Sequence, residues 1–168
     1  MFDFSFIIDF FLRLPGDYAV LFLSMIPVTE IRVSIPVGIE FFKMNIFLVW
    51  IIAVIGDIIP AIFILYFLPK LHDWLIDKKI IGKIFRKKME KAEKAFSGKY
   101  SRHGAIALIT FVAIPLPFTG SWTGSLAAFI FNIPFKKSLT LIFIGDCIAA
   151  TIITLVTLFA GATLRSIF

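Results

Sequence analysis

The sequence predicts an all-α integral membrane protein made of an inverted repeat. Each copy is a re-entrant helical hairpin followed by a transmembrane helix, with an N-terminal interfacial helix in front and a basic amphipathic helix between the copies. Three observations carry this. Hydrophobic residues make up 60% of the 168-residue chain and the mean hydropathy is +0.98, well beyond the roughly 45–50% apolar content of soluble domains. Two apolar stretches are long enough to cross a bilayer as ordinary helices. Each is preceded by a second apolar stretch that proline interrupts in the middle. The length suits one membrane domain, 1–168, with no room for an added soluble domain.

Residues 1–16 come first. Asp3 and Asp9 stand where a signal peptide would be positive or apolar, and no small-residue cleavage site follows. Residues 3–14 are too short to span and read as an interfacial helix ended by Pro15-Gly16. The first copy, 17–69, opens with the broken segment 18–44. Its breaks fall around Pro27 and near Pro36, with Glu30 and Arg32 between them. In lipid, non-helical backbone survives only when buried in protein or lining a wet cavity. A re-entrant hairpin with its tip near the bilayer middle satisfies this, and a kinked full-length span is the alternative. The spanning helix 46–68 follows, about 34 Å long at 1.5 Å per residue, with Asn45 as its N-cap and Pro69 as its stop.

Residues 70–103 carry most of the positive charge. Between 70 and 102 there are eleven Lys/Arg and four acids. Leu71, Trp74, Leu75, Ile81, Ile84, Phe85, Met89, Ala92 and Phe96 recur at helical steps, giving an amphipathic helix. Such a helix binds anionic lipid headgroups on the inner leaflet, or else a regulatory partner. The net charge of +6 is therefore read as facing the cytoplasmic membrane surface, not nucleic acid.

The second copy, 104–168, repeats the plan. Its broken segment 104–132 is interrupted at Pro115, Pro117 and Gly120, and its spanning helix 138–163 is introduced by Pro134 and Lys136-Lys137. Met25-Ile26-Pro27 matches Ala113-Ile114-Pro115, Asn45 falls near Asn132, and Ile55-Gly56-Asp57 matches Ile144-Gly145-Asp146. A hairpin plus one crossing per copy leaves the two copies oppositely oriented, the inverted plan of many transporters. Thirteen basic residues then lie inside against three outside, with both termini outside. A four-span reading gives the same count with both termini inside, so charge alone fixes only the cytoplasmic side of the basic segment. The expected location is the plasma membrane, with several passes.

Charged residues inside the membrane are costly, about 2.5–3.5 kcal/mol each on an insertion scale, and mark pairs or pathways. Glu30, Arg32, Asp57 and Asp146 qualify. Asp57 lies mid-helix, and Pro60 leaves the Gly56 carbonyl without its helical donor. Asp146 has Ala149 in the place of Pro60, so the copies have diverged. Burial and a nearby guanidinium act in opposite senses on a carboxyl, so an Asp near Arg32 could change protonation in the working range; a fixed Asp–Arg pair is the structural alternative. Glu30 and Arg32 would face one site only from an unwound tip, where Arg32 could hold an anionic group. The second tip is uncharged. Thr119 and Ser121 there offer hydroxyls for substrate or for packing, beside Thr123 and Gly124. Asp146, Ala150, Thr154, Thr157 and Gly161 share one helix face, a packing face or a polar lining. The single cysteine, Cys147, and the separated histidines His72 and His103 form no metal or disulfide pattern. No cofactor is expected, and no enzyme signature occurs.

Two motifs carry a family resemblance. Residues 26–38, IPVTEIRVSIPVG, resemble the first signature of the small multi-drug export proteins, and residues 115–128, PLPFTGSWTGSLAA, resemble the second. With the Gly-Asp helices the resemblance spans roughly 18–163. The family is similar in plan to the DedA and VTT-domain membrane proteins, which carry two facing re-entrant hairpins. That similarity implies proton-coupled transport or lipid translocation, with roles for Glu30, Arg32 and Asp57. The second hairpin lacks the arginines of those relatives. The expectation is a proton- or ion-coupled transporter of a lipophilic or amphiphilic substrate, with an anionic lipid included. The alternative is a non-transporting membrane-organisation protein acting through the basic helix and oligomerisation. Expected partners are anionic headgroups along 70–102, a small amphiphilic substrate, a proton or cation, and, if it oligomerises, further copies of the chain.

Overall fold

The structure is a computed structural model that describes Phe11 and residues 14–76, 100–116 and 119–167. The expected interfacial helix, the basic amphipathic pattern over 77–99 and Pro117 lie outside the described residues. Among the described residues all regular structure is helical.

Helix α1 (Gly16–Met25) starts after Pro15, whose carbonyl accepts the Ala19 N–H at 3.0 Å, and Asp17 favours its N-terminal turn. It ends where expected. Ile26 is extended (φ −83°, ψ 131°) because the ring of Pro27 disfavours helical geometry in the residue before it. Helix α2 (Glu30–Pro36) packs back on α1. Pro36 does not break this arm, contrary to expectation. It cannot donate to the Arg32 carbonyl, and the chain instead widens into a π-helical turn, Val37–Phe41, closed by the Phe42 N–H to the Val37 carbonyl at 3.1 Å.

Helix α3 (Ile46–Ile76) begins at the expected cap: Asn45 Oδ1 accepts the N–H groups of Phe47 (3.0 Å) and Leu48 (3.3 Å). It continues through Pro60 and Pro69, so Pro69 is not its stop. Proline removes one backbone bond, a loss that a packed or membrane helix can absorb. Helix α4 (Tyr100–Ala113) and α5 (Ser121–Ile130) flank the second break and pack on each other. Helix α6 (Phe135–Ile167) begins three residues before the expected 138, since the Pro134 carbonyl already accepts the Ser138 N–H at 2.9 Å. Ile46–Lys70 and Phe135–Gly161 are long and apolar enough to cross a membrane.

The chain divides into two compact units, 1–59 with 146–168, and 60–145. The first is centred on Val20, Ile31, Ile35, Val49, Ala53, Ala149 and Ala150, all buried. Helices gain little from hydrophobic burial when lipid is the solvent, so small residues that permit close approach matter more; the three alanines serve this. In the second unit Leu108, Val112, Ala128 and Ile142 are buried.

Gly56 and Gly145 pack alike, each within its own unit. A Cβ on Gly56 would come within 2.6 Å of the Leu21 carbonyl oxygen and 2.8 Å of Ser24 Cβ. A Cβ on Gly145 would meet Val112 Cβ at 2.7 Å and the Ile109 carbonyl oxygen at 3.1 Å. Each glycine thus seats its long helix against the first arm of the broken segment before it.

Candidate functional site

The first unit brings four charged residues together. Glu30 stands at the start of α2 with φ 42°, a left-handed conformation that a non-glycine residue adopts at a cost. It is buried, and its carboxylate is paired with the Arg32 guanidinium. The tip is therefore unwound, the condition under which residues two apart can meet. Thr29 holds that shape. Its hydroxyl donates to the Leu23 carbonyl, tying the tip to the last turn of α1. Below it Ser24 Oγ donates to the Val20 carbonyl at 2.7 Å and lies 2.8 Å from Ser34 Oγ, joining the two arms inside the core.

Asp57 of α3 and Asp146 of α6 are both fully buried. The charged groups acting on Asp146 are Asp57, then Glu30, then Arg32. Asp146 meets the Asp57 carboxyl side chain to side chain, and no N–H or hydroxyl among the described residues reaches its oxygens. Three carboxyl groups and one guanidinium carry a formal charge of −2 when all are ionised. Burying uncompensated charge costs several kcal/mol per ion. The arrangement therefore suits groups that take up and release a proton or a small cation. Among the described residues no three acids, histidines or cysteines are placed to hold a metal ion.

The remaining tip residues lie elsewhere. Pro27 sits at the first break, whereas Pro36 lies inside the second arm. Pro115, Thr119, Gly120 and Ser121 belong to the second unit. Thr119 Oγ1 lies 2.7 Å from both the Ile114 and the Leu116 carbonyl oxygens, which share its one proton, and accepts the Leu116 N–H at 3.1 Å, so it closes the second break as Thr29 closes the first. Gly120 has φ 153° and ψ −166°, a region open only to glycine. Ser121 is buried, and its carbonyl accepts the Ser125 hydroxyl at 2.7 Å. On α6, Ala150, Thr154 and Thr157 follow Asp146 on a buried face, as the spacing predicted.

Sequence reading missed three features. Thr29 went unremarked although its counterpart Thr119 was singled out. The Ser24–Ser34 link needs the fold of the hairpin to be known. Trp50 Nε1 donates to Thr151 Oγ1 at 3.3 Å across 101 residues, which no local pattern announces.

The chain matches one protein family, described as "Putative small multi-drug export protein", over residues 30–152, most of its length. No curated protein and no solved structure matches it.

Proposed function

The chain belongs to the small multi-drug export family, and from that premise we propose an ion-coupled membrane exporter of lipophilic or amphiphilic compounds whose coupling site is the acid cluster of the first unit. Family and apolar helices together point to a membrane protein and to transport rather than enzymatic turnover. The observation that carries the coupling role is Asp146, fully buried against the Asp57 carboxyl, with Glu30 and Arg32 acting on it and no N–H or hydroxyl donor on its oxygens. Buried ionisable groups in a membrane helix are retained at an energetic cost, which a working role accounts for.

In this reading Asp57 and Asp146 exchange a proton or cation, and the Glu30–Arg32 pair sets the local field. Arg32 already engages Glu30, which favours an uncharged or cationic substrate over an anionic lipid. Thr119 and Ser121 shape the substrate path at the second tip, Thr119 by closing the break and Ser121 from a buried position. Both broken segments are re-entrant and the two copies are inverted. Support comes from matched landmarks: Thr29 and Thr119 close the breaks, left-handed Lys43 and Asn132 end the second arms, and Gly56 and Gly145 seat the long helices. The basic segment 70–102 faces the cytoplasm on anionic lipid, in the plasma membrane.

The deciding experiment is flux of lipophilic compounds into proteoliposomes under an imposed pH gradient. Asp57→Asn, Asp146→Asn and Glu30→Gln should each abolish gradient-driven flux. Undiminished flux in Asp57→Asn and Glu30→Gln would sink the coupling role.

A further inference from the structure

Within the first unit an open groove of about 520 Å³ lies between the N-terminal turns of α3 and the later turns of α6, with Phe47 and Leu155 exposed at its edge. Its lining includes Asn45, Phe47, Trp50, Thr151, Thr154 and Leu155. The volume falls in the range of small-molecule sites, roughly 300–1,000 Å³. Its walls are mainly apolar, and no lining residue is ionisable.

The polar groups there are chiefly donors. Asn45 Oδ1 is occupied by the α3 cap, and its amide N–H groups make no hydrogen bond among the described residues. The Trp50 Nε1 bond to Thr151 at 3.3 Å is long for an N–H donor, so the indole N–H can turn to a better acceptor. The hydroxyl protons of Thr151 and Thr154 are committed to the Cys147 carbonyl (2.8 Å) and the Ala150 carbonyl (2.7 Å). The indole face and the Phe47 ring supply flat apolar surface.

We propose that this groove binds an uncharged lipophile bearing a hydrogen-bond-accepting oxygen, such as an aromatic ketone or ester. An ion would find no counter-charge in this groove, and an acyl chain would make no use of its two donors. Trp50 is seven residues from Asp57 and Thr154 eight from Asp146, about 10–12 Å along each helix. The site and the acid cluster thus share two continuous helices. That the ligand is the exported substrate rests on the export reading; the binding itself does not.

The test is photolabelling of the full chain in nanodiscs with benzophenone, an uncharged ketone that inserts into nearby C–H bonds on illumination. Labelling should saturate and fall on peptides holding residues 45–50 and 151–155. Diphenylmethane, with the same rings and no oxygen, should compete about five-fold less well than unlabelled benzophenone added in the dark. Asn45→Asp keeps the cap oxygen and removes the amide donors, and Trp50→Phe removes the indole N–H. Each should weaken labelling about five-fold. Labelling that rises linearly without saturation, or equal competition by diphenylmethane, overturns the proposal as simple partitioning. Labelling lost in nanodiscs holding two copies assigns the groove to a second copy and overturns it too. The readout needs no flux. Intact labelling without gradient-driven flux therefore counts against the export reading alone, and absent labelling with intact flux counts against this site alone.

Discussion

Asp146 and Glu30 are the residues whose placement works against stability. Asp146 lies buried against the Asp57 carboxyl with no N–H or hydroxyl donor on its oxygens, and Glu30 holds a left-handed backbone. Replacing a poorly compensated buried charge by a neutral group of similar shape commonly stabilises a protein. Asp146→Asn should therefore raise the thermal unfolding midpoint in detergent, by about 1 kcal/mol in stability, while gradient-driven flux disappears. A lower midpoint would show that the carboxylate is structural. All four charged residues were legible in the sequence, because charges in apolar runs stand out. The strained backbone of Glu30 was not, since a dihedral angle leaves no mark on residue type unless glycine is used.

The helix breaks are the most instructive elements. Pro27 ends α1 through its effect on Ile26, as the sequence implied, yet Pro36, Pro60 and Pro69 are all carried inside helical structure. A proline costs one backbone bond wherever it falls. Whether the chain then turns depends on a partner such as Thr29, whose hydroxyl rewards the broken geometry. Gly120→Ala should destabilise by about 1–3 kcal/mol, because no side chain suits its backbone. Gly56→Ala and Gly145→Ala should each cost about 1–3 kcal/mol from overpacking. Gly56→Ala should cost more, since its obstacle is a backbone oxygen. Asn45→Ala should cost about 1 kcal/mol and Asn45→Asp little, the mark of a cap. Thermal or denaturant unfolding in micelles measures all of these. Helix identity, the cap and both spans were legible from periodicity and hydropathy. The run of α3 past Pro69 was not, since proline marks a helix end only statistically.

For the whole molecule the strongest consequence concerns sidedness. If both broken segments are re-entrant, tags on the two termini should be accessible from outside intact cells, with residue 90 reachable only after permeabilisation. Two tags protected with residue 90 would favour four full spans. The membrane class was legible from composition alone. The packing of Trp50 against Thr151 was not, because only the folded chain brings sites 101 residues apart together.

The division into units also bears on how such a chain could have arisen. The first unit draws on residues 146–168 from the far end of the chain, and the second draws on 60–76 from the near half. A gene cut anywhere between codons 77 and 99 would encode two fragments, each lacking part of both units. Expressed singly, both should be degraded; expressed together, they should complement. If the two copies are inverted, a single-copy forebear would have faced the same shortfall, and would have had to insert in both directions and pair with an oppositely oriented copy of itself.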